Sequence, residues 1–295
     1  MVPPTGYISL EAMVACLATL PSLKIFTIDF LSATSHPDQI CLPPETQTVF
    51  PALTSFKFWG AYKYLEDLVT QIDGPQLNLI GIDYLDQPDD FQVTQLSKFI
   101  DSSVGPQSTP SRHVYVCFEI NQVVFTLYHQ ANYLSWDLCP VETNISADTF
   151  DWKIPKMAQM LSQLSATLNS VIHLKLEALF KGGEYILELV DWLDRFCQFH
   201  AMKILDVSGL LAMYVAPALE DITMEMVAEV FPSLHLIFLE GEPASSVEMI
   251  VTAHALSDPP VTFIETKAEL EKILKPWTGP DLHKLLGSAL ECSGC

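Results

Sequence analysis

The stretch Phe50-Pro-Ala-Leu-Thr-Ser-Phe-Lys-Phe-Trp-Gly60 decides the fold of this chain. It carries the pattern Pro-x-Leu-x-x-apolar-x-apolar, which chance would produce about once or less in a chain of this composition. Copies lie at residues 21–28, 51–58, 75–82 and 232–239, and residues 171–176 and 202–207 keep the apolar spacing without the proline. A further match at residues 217–224 lies too close to the next copy and is interpreted as a helix. The pattern therefore indicates a repeat.

Each copy predicts a short strand, because the proline ends the preceding helix and the chain continues extended. Phe56 and Phe58 then share an inward face, while Lys57 and Trp59 point the other way. Amphipathic helices are predicted over residues 10–20, 65–72 and 186–196, and a fourth from Ser245, where Ser245-x-x-Glu248 has the spacing of a capping box. The strands start roughly every 24 to 32 residues, which fits one helix and one parallel strand per repeat.

We expect an α/β fold of the leucine-rich-repeat-like solenoid (horseshoe) type, with a β-hairpin inserted at about residues 113–128. The doubly wound α/β fold is the structural alternative, since it also alternates helices with parallel strands. The leucine before each strand favours the solenoid. The usual asparagine or cysteine after the strand is replaced by Leu31, Ala61, Leu85 and Glu242, so the repeats are irregular. The solenoid is predicted over residues 1–275 and a weakly ordered tail over 276–295.

Composition excludes several classes of function. The 295 residues include 15 basic and 36 acidic ones, a net charge of −21, which would repel nucleic acid and anionic membranes. The 49% of hydrophobic residues predict a folded core, and no apolar run approaches the roughly 18 residues of a membrane span. The seven scattered cysteines are an odd number, which is typical of reduced thiols. With no visible signal peptide, we expect a soluble protein of the cytoplasm or nucleus.

No residue pattern indicates catalysis or metal binding, so we expect no enzyme, cofactor or metal site. The chain lacks a Gly-x-Ser-x-Gly elbow, a phosphate loop with a following lysine and a His-Glu-x-x-His motif. Four groups of residues could be interpreted chemically, but a structural interpretation is favoured for each of them. The chemical interpretations are a thiol–imidazole pair of Cys197 and His200, paired acids at Asp191 and Asp194, a cation loop of Asp83, Asp86, Asp89 and Asp90, and a redox pair of Cys292 and Cys295.

In a solenoid the outward strand positions form a concave surface that is available to a protein partner. We expect Trp59 and Phe238 to be its aromatic anchors, because desolvated aromatic side chains dominate interface energies. Packing beneath the hairpin or tail is the alternative for both. Charged and polar neighbours would set charge selectivity. The candidate partner-binding residues are Thr27, Asp29, Lys57, Trp59, Asp83, Lys175, Glu177, Asp206, Phe238 and Glu240.

The repeats resemble the leucine-rich-repeat-like region of fungal (basidiomycete) F-box proteins. The likeness runs from Met13 to Ile264 and is carried by residues 13–17, 20–23, 50–60, 64–68, 215–219, 229–234 and 237–241. In that family the repeats hold a substrate, while an N-terminal F-box binds a Skp-type adaptor of a cullin ubiquitin ligase. The resemblance implies that the repeats of this chain also hold a substrate. This chain starts inside a repeat helix, so no F-box is expected within it, and the adaptor is a partner only if an F-box lies upstream.

These observations predict a non-enzymatic protein–protein interaction scaffold, the substrate-recognition part of an F-box type ubiquitin ligase subunit. A free-standing repeat sensor or scaffold unrelated to ubiquitin is the first alternative. An α/β hydrolase-like enzyme is the second, and it requires a nucleophile, a base and an oxyanion site that converge in one pocket.

Overall fold

The computed structural model describes residues 8–30, 47–77, 79–84, 92–103, 112–118, 122–128, 141–146, 161–164, 168–179, 196–255 and 260–274. Their helices are α1 (Leu10–Ala18), α2 (Tyr62–Val69), α3 (Thr94–Ser103), α4 (Leu210–Glu220), α5 (Met224–Val230), α6 (Glu248–Ala253) and α7 (Lys267–Leu274), with a 3₁₀ turn at Ala244–Val247. Their strands are β1 (Ile25–Asp29), β2 (Thr48–Val49), β3 (Ser55–Gly60), β4 (Ile72–Asp73), β5 (Leu79–Tyr84), β6 (Arg112–Phe118), β7 (Gln122–Tyr128), β8 (Val141–Ser146), β9 (Val171–Ala178), β10 (Ile204–Gly209), β11 (Leu236–Leu239) and β12 (Thr262–Ile264).

The chain divides into two compact units, which are described separately. Unit 1 comprises Met1–Ser108, Asn121–Val123 and Pro140–Leu164. Unit 2 comprises Thr109–Ile120, Val124–Cys139 and Ser165–Cys295. All but the last residue of the helix predicted over residues 186–196, and the whole tail predicted over residues 276–295, lie outside the described residues.

In unit 1 the strands lie in the order β1-β3-β5-β8, and every neighbouring pair is parallel. The register places Phe26 beside Phe56 and Phe56 beside Ile80. These inward side chains are buried, as the two-residue alternation predicts. The ring of Phe56 contacts both Phe26 and Phe99 of α3, with centroids 5.7 and 5.9 Å apart. The repeat pattern therefore marks the strands that build this core.

In unit 2 the strands lie in the order β7-β6-β9-β10-β11-β12. The pairs from β6 to β12 are parallel, and one apolar row of the register crosses them through Val114, Leu174, Leu205, Ile237 and Phe263. β7 and β6 lie side by side, as expected for a hairpin, although residues 119–121 lie outside the described residues. β6 also pairs with β9 along its whole length. It is therefore a full member of the sheet.

In unit 1, β1, β3 and β5 are neighbours in the order in which they follow in the sequence, while β2 and β4 form a separate two-stranded sheet. In unit 2, β9 to β12 are also neighbours in sequence order, but β6 and not β7 lies beside β9. A doubly wound sheet instead changes direction at a switch point in the strand order. The order of β1, β3 and β5 and that of β9 to β12 are compatible with stacked helix–strand repeats, whereas the order β7-β6-β9 departs from it. The leucine-rich-repeat-like solenoid stays a prediction.

Two helix predictions meet different outcomes. Of the repeat match at residues 217–224, Pro217–Glu220 lie in α4 and Met224 begins α5, so the helical interpretation holds for these residues, while residues 221–223 connect the two helices. The capping box at Ser245 is wrong: Ser245 lies inside a 3₁₀ turn, and α6 follows with Val247 at its N-cap and no side-chain cap.

Candidate functional site

Unit 1 presents an exposed strand face on the side of the sheet opposite its core. This unit 1 face consists of the outward residues of β1, β3 and β5, namely Ile25, Thr27, Asp29, Ser55, Lys57, Trp59, Leu79, Gly81 and Asp83. Ile25 is 65% and Trp59 48% exposed, and Thr27, Asp29 and Lys57 are exposed as well. Two large apolar side chains therefore lie in solvent among polar neighbours.

Trp59 stands between two carboxylates on the neighbouring strands. The parallel register pairs Trp59 with Asp29 on one side and with Asp83 on the other. Neighbouring strands lie about 4.8 Å apart, so the three side chains form a row about 10 Å long. Asp29 is exposed and Asp83 half-buried. We call Asp29, Trp59 and Asp83 the acidic–aromatic row.

The neighbouring row of the unit 1 face consists of Thr27, Lys57 and Gly81, and Lys57 is its positively charged residue. Lys57 lies between Thr27 and Gly81 in the register. A Cβ atom at Gly81 would lie 3.5 Å from Cγ and 3.9 Å from Cδ of Lys57, so the aliphatic stem of the lysine covers the glycine. Leu79 of β5 is half-buried. A partner on this face would therefore meet the stem of Lys57 beside the acidic–aromatic row.

Two packing features hold Trp59 in place at the end of β3. The amide of Phe30 donates to the carbonyl of Trp59 over 2.8 Å, which extends the ladder by one residue. A Cβ atom at Gly60 would lie 2.8 Å from Cδ2 of Phe30. Because Phe30 packs edge-on against Tyr64, at a centroid distance of 4.8 Å, the residue after Trp59 must be small.

The equivalent face of unit 2 is largely buried. Phe238, expected as an exposed anchor, is only 2% exposed and packs in a cluster with Ile204, Leu236, Ile264, Leu270 and Leu274. The last two belong to α7, which covers this end of the face. The physical reason is the apolar stripe of residues 267–274, which must bury against something apolar. Phe238 is therefore a core residue.

The polar residues of unit 2 that were predicted to bind a partner instead contact other residues of the same chain. Asp206 is buried, and its Oδ2 lies 3.8 Å from Nε2 of His173. Lys175 and Glu177, both half-buried, form an ion pair of 3.2 Å. Glu240 is exposed, and its Oε2 accepts a hydrogen bond of 2.7 Å from the amide of Gly209. In unit 2 the sequence prediction of an open binding face is thus not matched by the exposure of these side chains.

A buried histidine pair occupies the same face. Nδ1 of His113 and Nδ1 of His173 lie 3.2 Å apart, with one ring donating to the other, and both side chains are buried. Burial, with a smaller contribution from His173, lowers the pKa of His113 to about 3, so this imidazole is neutral near pH 7. The register places the two histidines directly opposite each other on β6 and β9.

Beside the histidines lies a cation–π pair completed by a carboxylate. Nζ of Lys175 lies 5.1 Å from the centroid of the Tyr115 ring. The hydroxyl of Tyr115 donates to Oε2 of Glu177 over 2.9 Å. Burial, followed by hydrogen bonding to Cys117 and the charge of Glu177, raises the pKa of Tyr115. The chain itself thus holds an ammonium group between an aromatic ring and a carboxylate.

The sequence analysis did not predict the buried contacts of His113 and Tyr115, nor the capping of α3 by Glu66. The first two were visible as the outward positions of β6, because Val114, Val116 and Phe118 alternate with them. The carboxylate of Glu66 in α2 accepts from the amides of Gln95 and Leu96 in the first turn of α3. No local pattern joins residues 29 or 30 positions apart.

The predicted absence of a metal or catalytic centre stays a prediction. Among the described residues no group of three or more His, Cys, Asp or Glu side chains is arranged to hold a metal ion. Cys197 is half-buried and His200 exposed. Asp86, Asp89, Asp90, Asp191, Asp194, Cys292 and Cys295 lie outside the described residues.

Comparisons with known proteins give no match among protein-family models, curated proteins or solved structures. No helix in the described part of the chain is long and apolar enough to cross a membrane. The residues of the unit 1 face therefore carry the functional argument alone.

Proposed function

We propose that this chain is a protein-interaction scaffold that binds a protein partner through the unit 1 face. The observation that carries the proposal is the exposure of Trp59 and Ile25 on one ordered parallel sheet whose other side is a packed core. Exposed apolar patches rimmed by polar residues are typical of binding surfaces. Tryptophan is the residue type most enriched among binding hot spots.

Within this function, the resemblance to F-box proteins supports a role as the substrate-recognition part of a ubiquitin ligase subunit. The bound partner would then be the substrate, and a Skp-type adaptor would join through an F-box. The cytoplasm or nucleus is the compartment that this role requires. The free-standing scaffold is the alternative, and it differs in lacking the adaptor.

The test compares Trp59→Ala with Val49→Ala in the protein tagged at its own gene. Val49 of β2 is a matched control because it lies in the same unit, off the unit 1 face, and is 53% exposed. We expect Trp59→Ala to reduce recovery of the co-purifying partner at least tenfold, since truncated hot-spot residues cost about 2 kcal/mol or more. Val49→Ala should leave recovery within twofold. Equal recovery with both variants would contradict the proposal.

The same purification separates the two roles. A ubiquitin ligase subunit should retain its Skp-type adaptor in the Trp59→Ala variant while it loses the substrate, because the two sites are separate. Loss of partner with no adaptor in either sample would support the free-standing scaffold.

A further inference from the structure

We infer that the partner binds by adding an extended basic segment as a new strand at the open edge of β1. The inference rests on the proposed function and names how that partner is held. β1 is the terminal strand of its sheet and pairs with β3 on one side. Among the described residues, no strand lies on its other side. Strand addition at such an edge recognises a peptide through main-chain hydrogen bonds.

The ladder between β1 and β3 identifies the backbone groups on the open side. The carbonyl of Lys24 accepts from the amide of Ser55. At the other end of β1, the amide of Phe30 donates to the carbonyl of Trp59. Because the backbone groups of successive residues point alternately to the two sides of a strand, the even-numbered residues from 24 to 30 face β3. The odd-numbered residues of β1 therefore direct their amide and carbonyl groups to the open side.

β1 lacks the features by which edge strands are usually protected from strand addition. Such features include prolines, lysines, bulges and a very short strand. β1 has five residues without proline or lysine, and its register with β3 runs without a bulge. β12, the last strand of unit 2, has only three residues, and its Ile264 packs in one cluster with Leu270 of α7. The edge of β1 is thus the longer and less protected of the two.

The open edge of β1 continues the unit 1 face. The side chains of Ile25, Thr27 and Asp29 are exposed and form the outermost column of that face. In an added strand, every second side chain would extend the face beside them. Ile25 is 65% exposed, so an apolar side chain of the partner would bury it as a cross-strand pair. The added segment should therefore be apolar at alternate positions.

The net charge of the chain favours a basic segment of another protein as the occupant. The charge of −21 attracts cationic segments and repels a second copy of the same chain. A pair of β1 edges from two copies would have to form against this repulsion. An extended segment that alternates apolar and basic residues meets both the exposure of Ile25 and the charge of the chain.

The first experiment measures the open edge in the ¹⁵N-labelled full chain. Without a partner, the amides of Thr27 and Asp29 should exchange hydrogen at least tenfold faster than those of Phe26 and Ile28, because only the second pair faces β3. A capped nine-residue peptide of alternating lysine and valine is then titrated into the chain. We expect saturable shifts of the Thr27 and Asp29 amide signals, and slower exchange of both amides in the complex.

Two control peptides separate strand addition from simple charge attraction. One carries proline in place of each valine, which keeps the charge and removes hydrogen-bond donors. The other carries glutamate in place of each lysine, which keeps the alternation and reverses the charge. Each control peptide should bind at least tenfold more weakly than the lysine–valine peptide.

The second experiment tests the edge against the cellular partner. Thr27→Pro removes an amide on the open side, where proline is compatible with an edge strand, and Thr27→Ala keeps that amide. Val49→Pro is the matched control, because the amides of Thr48 and Phe50 face β4 and that of Val49 faces away. We expect Thr27→Pro to reduce partner recovery at least tenfold, and the other two variants to stay within twofold of wild type. Circular dichroism and thermal unfolding check that all three variants are folded.

Three results would overturn the inference. One is slow exchange of the Thr27 and Asp29 amides in the free monomer, which would mean that the chain covers its own edge. Another is equal affinity for the lysine–valine peptide and either control peptide. The third is a dimer by light scattering that Thr27→Pro abolishes, which would make a second copy of the chain the occupant.

The failure of the inference and the failure of the proposed function can be told apart. If Thr27→Pro keeps the cellular partner while Trp59→Ala loses it, the inference fails and the proposed function stands. If Trp59→Ala keeps the partner, the proposed function fails.

Discussion

Replacing Phe238 by alanine should destabilise the protein far more than replacing Trp59 by alanine, although tryptophan is the larger side chain. The two residues occupy outward positions of repeats with the same sequence pattern. One is enclosed by Ile204, Ile264 and Leu270, whereas the other is half exposed. The comparison therefore tests the difference between the two faces directly.

The expected magnitudes follow from burial. Truncating a fully buried phenylalanine removes its transfer free energy and leaves a cavity, which costs about 3–5 kcal/mol. Trp59 leaves about half of its surface in water, so its truncation should cost about 1 kcal/mol, somewhat more than the roughly 0.5 kcal/mol of ordinary surface substitutions. Phe238→Leu keeps most of the volume and should cost less than about 1.5 kcal/mol.

The assay is urea unfolding of each variant, followed by far-ultraviolet circular dichroism. Because the chain contains two compact units, hydrogen exchange measured on peptides of β10 and β11 assigns the loss of stability to unit 2. We expect the Phe238→Ala loss to appear in those peptides. A larger loss of stability from Trp59→Ala than from Phe238→Ala would refute the assignment of the two faces.

Three further predictions concern stability. Because burial lowers the pKa of His113 from 6.5 to about 3, the unfolded chain binds a proton that the folded chain rejects as the pH falls from 6.5 towards 3. Wild type should therefore lose about 2 kcal/mol more than His113→Asn between pH 7 and pH 5 in urea titrations, and parallel pH profiles would contradict this. Glu66→Gln should lower the free energy of unfolding by about 1–2 kcal/mol at pH 7, because it weakens the cap of α3. Lys63→Ala, which removes the exposed Lys63–Asp67 ion pair, should lower it by less than about 0.5 kcal/mol. Similar urea midpoints for the two variants would argue against the cap. Gly209→Ala should lower stability about 1–2 kcal/mol more than Gly241→Ala, because both glycines have positive φ but only at Gly209 would a Cβ atom strike a carbonyl oxygen, that of Ala178 at 2.6 Å. Equal thermal shifts for the two glycine variants would remove that steric explanation.

The strands that follow a Pro-x-Leu segment could be predicted from the sequence, together with their inward and outward faces. Phe56, Phe58, Ile80 and Ile82 alternate with polar or small residues, and a one-residue slip would expose all of them, so the register is strongly specified. β8 could not be found in this way. Its sequence Val-Glu-Thr-Asn-Ile-Ser alternates weakly, and although Pro140 directly precedes it, Glu142 stands where the repeat pattern has leucine.

Whether an outward side chain is exposed or buried depends on tertiary contacts that the local sequence pattern does not encode. Trp59 and Phe238 both take outward positions of their strands, yet Phe238 is packed against Leu270 and Leu274 of α7 while Trp59 is half exposed. Residues 267–274 follow that strand in the sequence and pack back over it, which the strand pattern alone does not encode. His113 and His173 meet across 60 residues because β6 joins the sheet next to β9. Local periodicity therefore fixes which face a side chain takes, and tertiary packing decides whether that face stays open.

The most direct test of the central claim is photo-crosslinking from position 59 in cells of the source organism. Benzoylphenylalanine replaces Trp59 in one protein and Val49 in a second, and the adducts are identified by mass spectrometry. The account predicts an adduct with a partner protein from position 59 that is absent from position 49. The account would be contradicted if both positions gave the same adducts, or if position 59 gave no adduct.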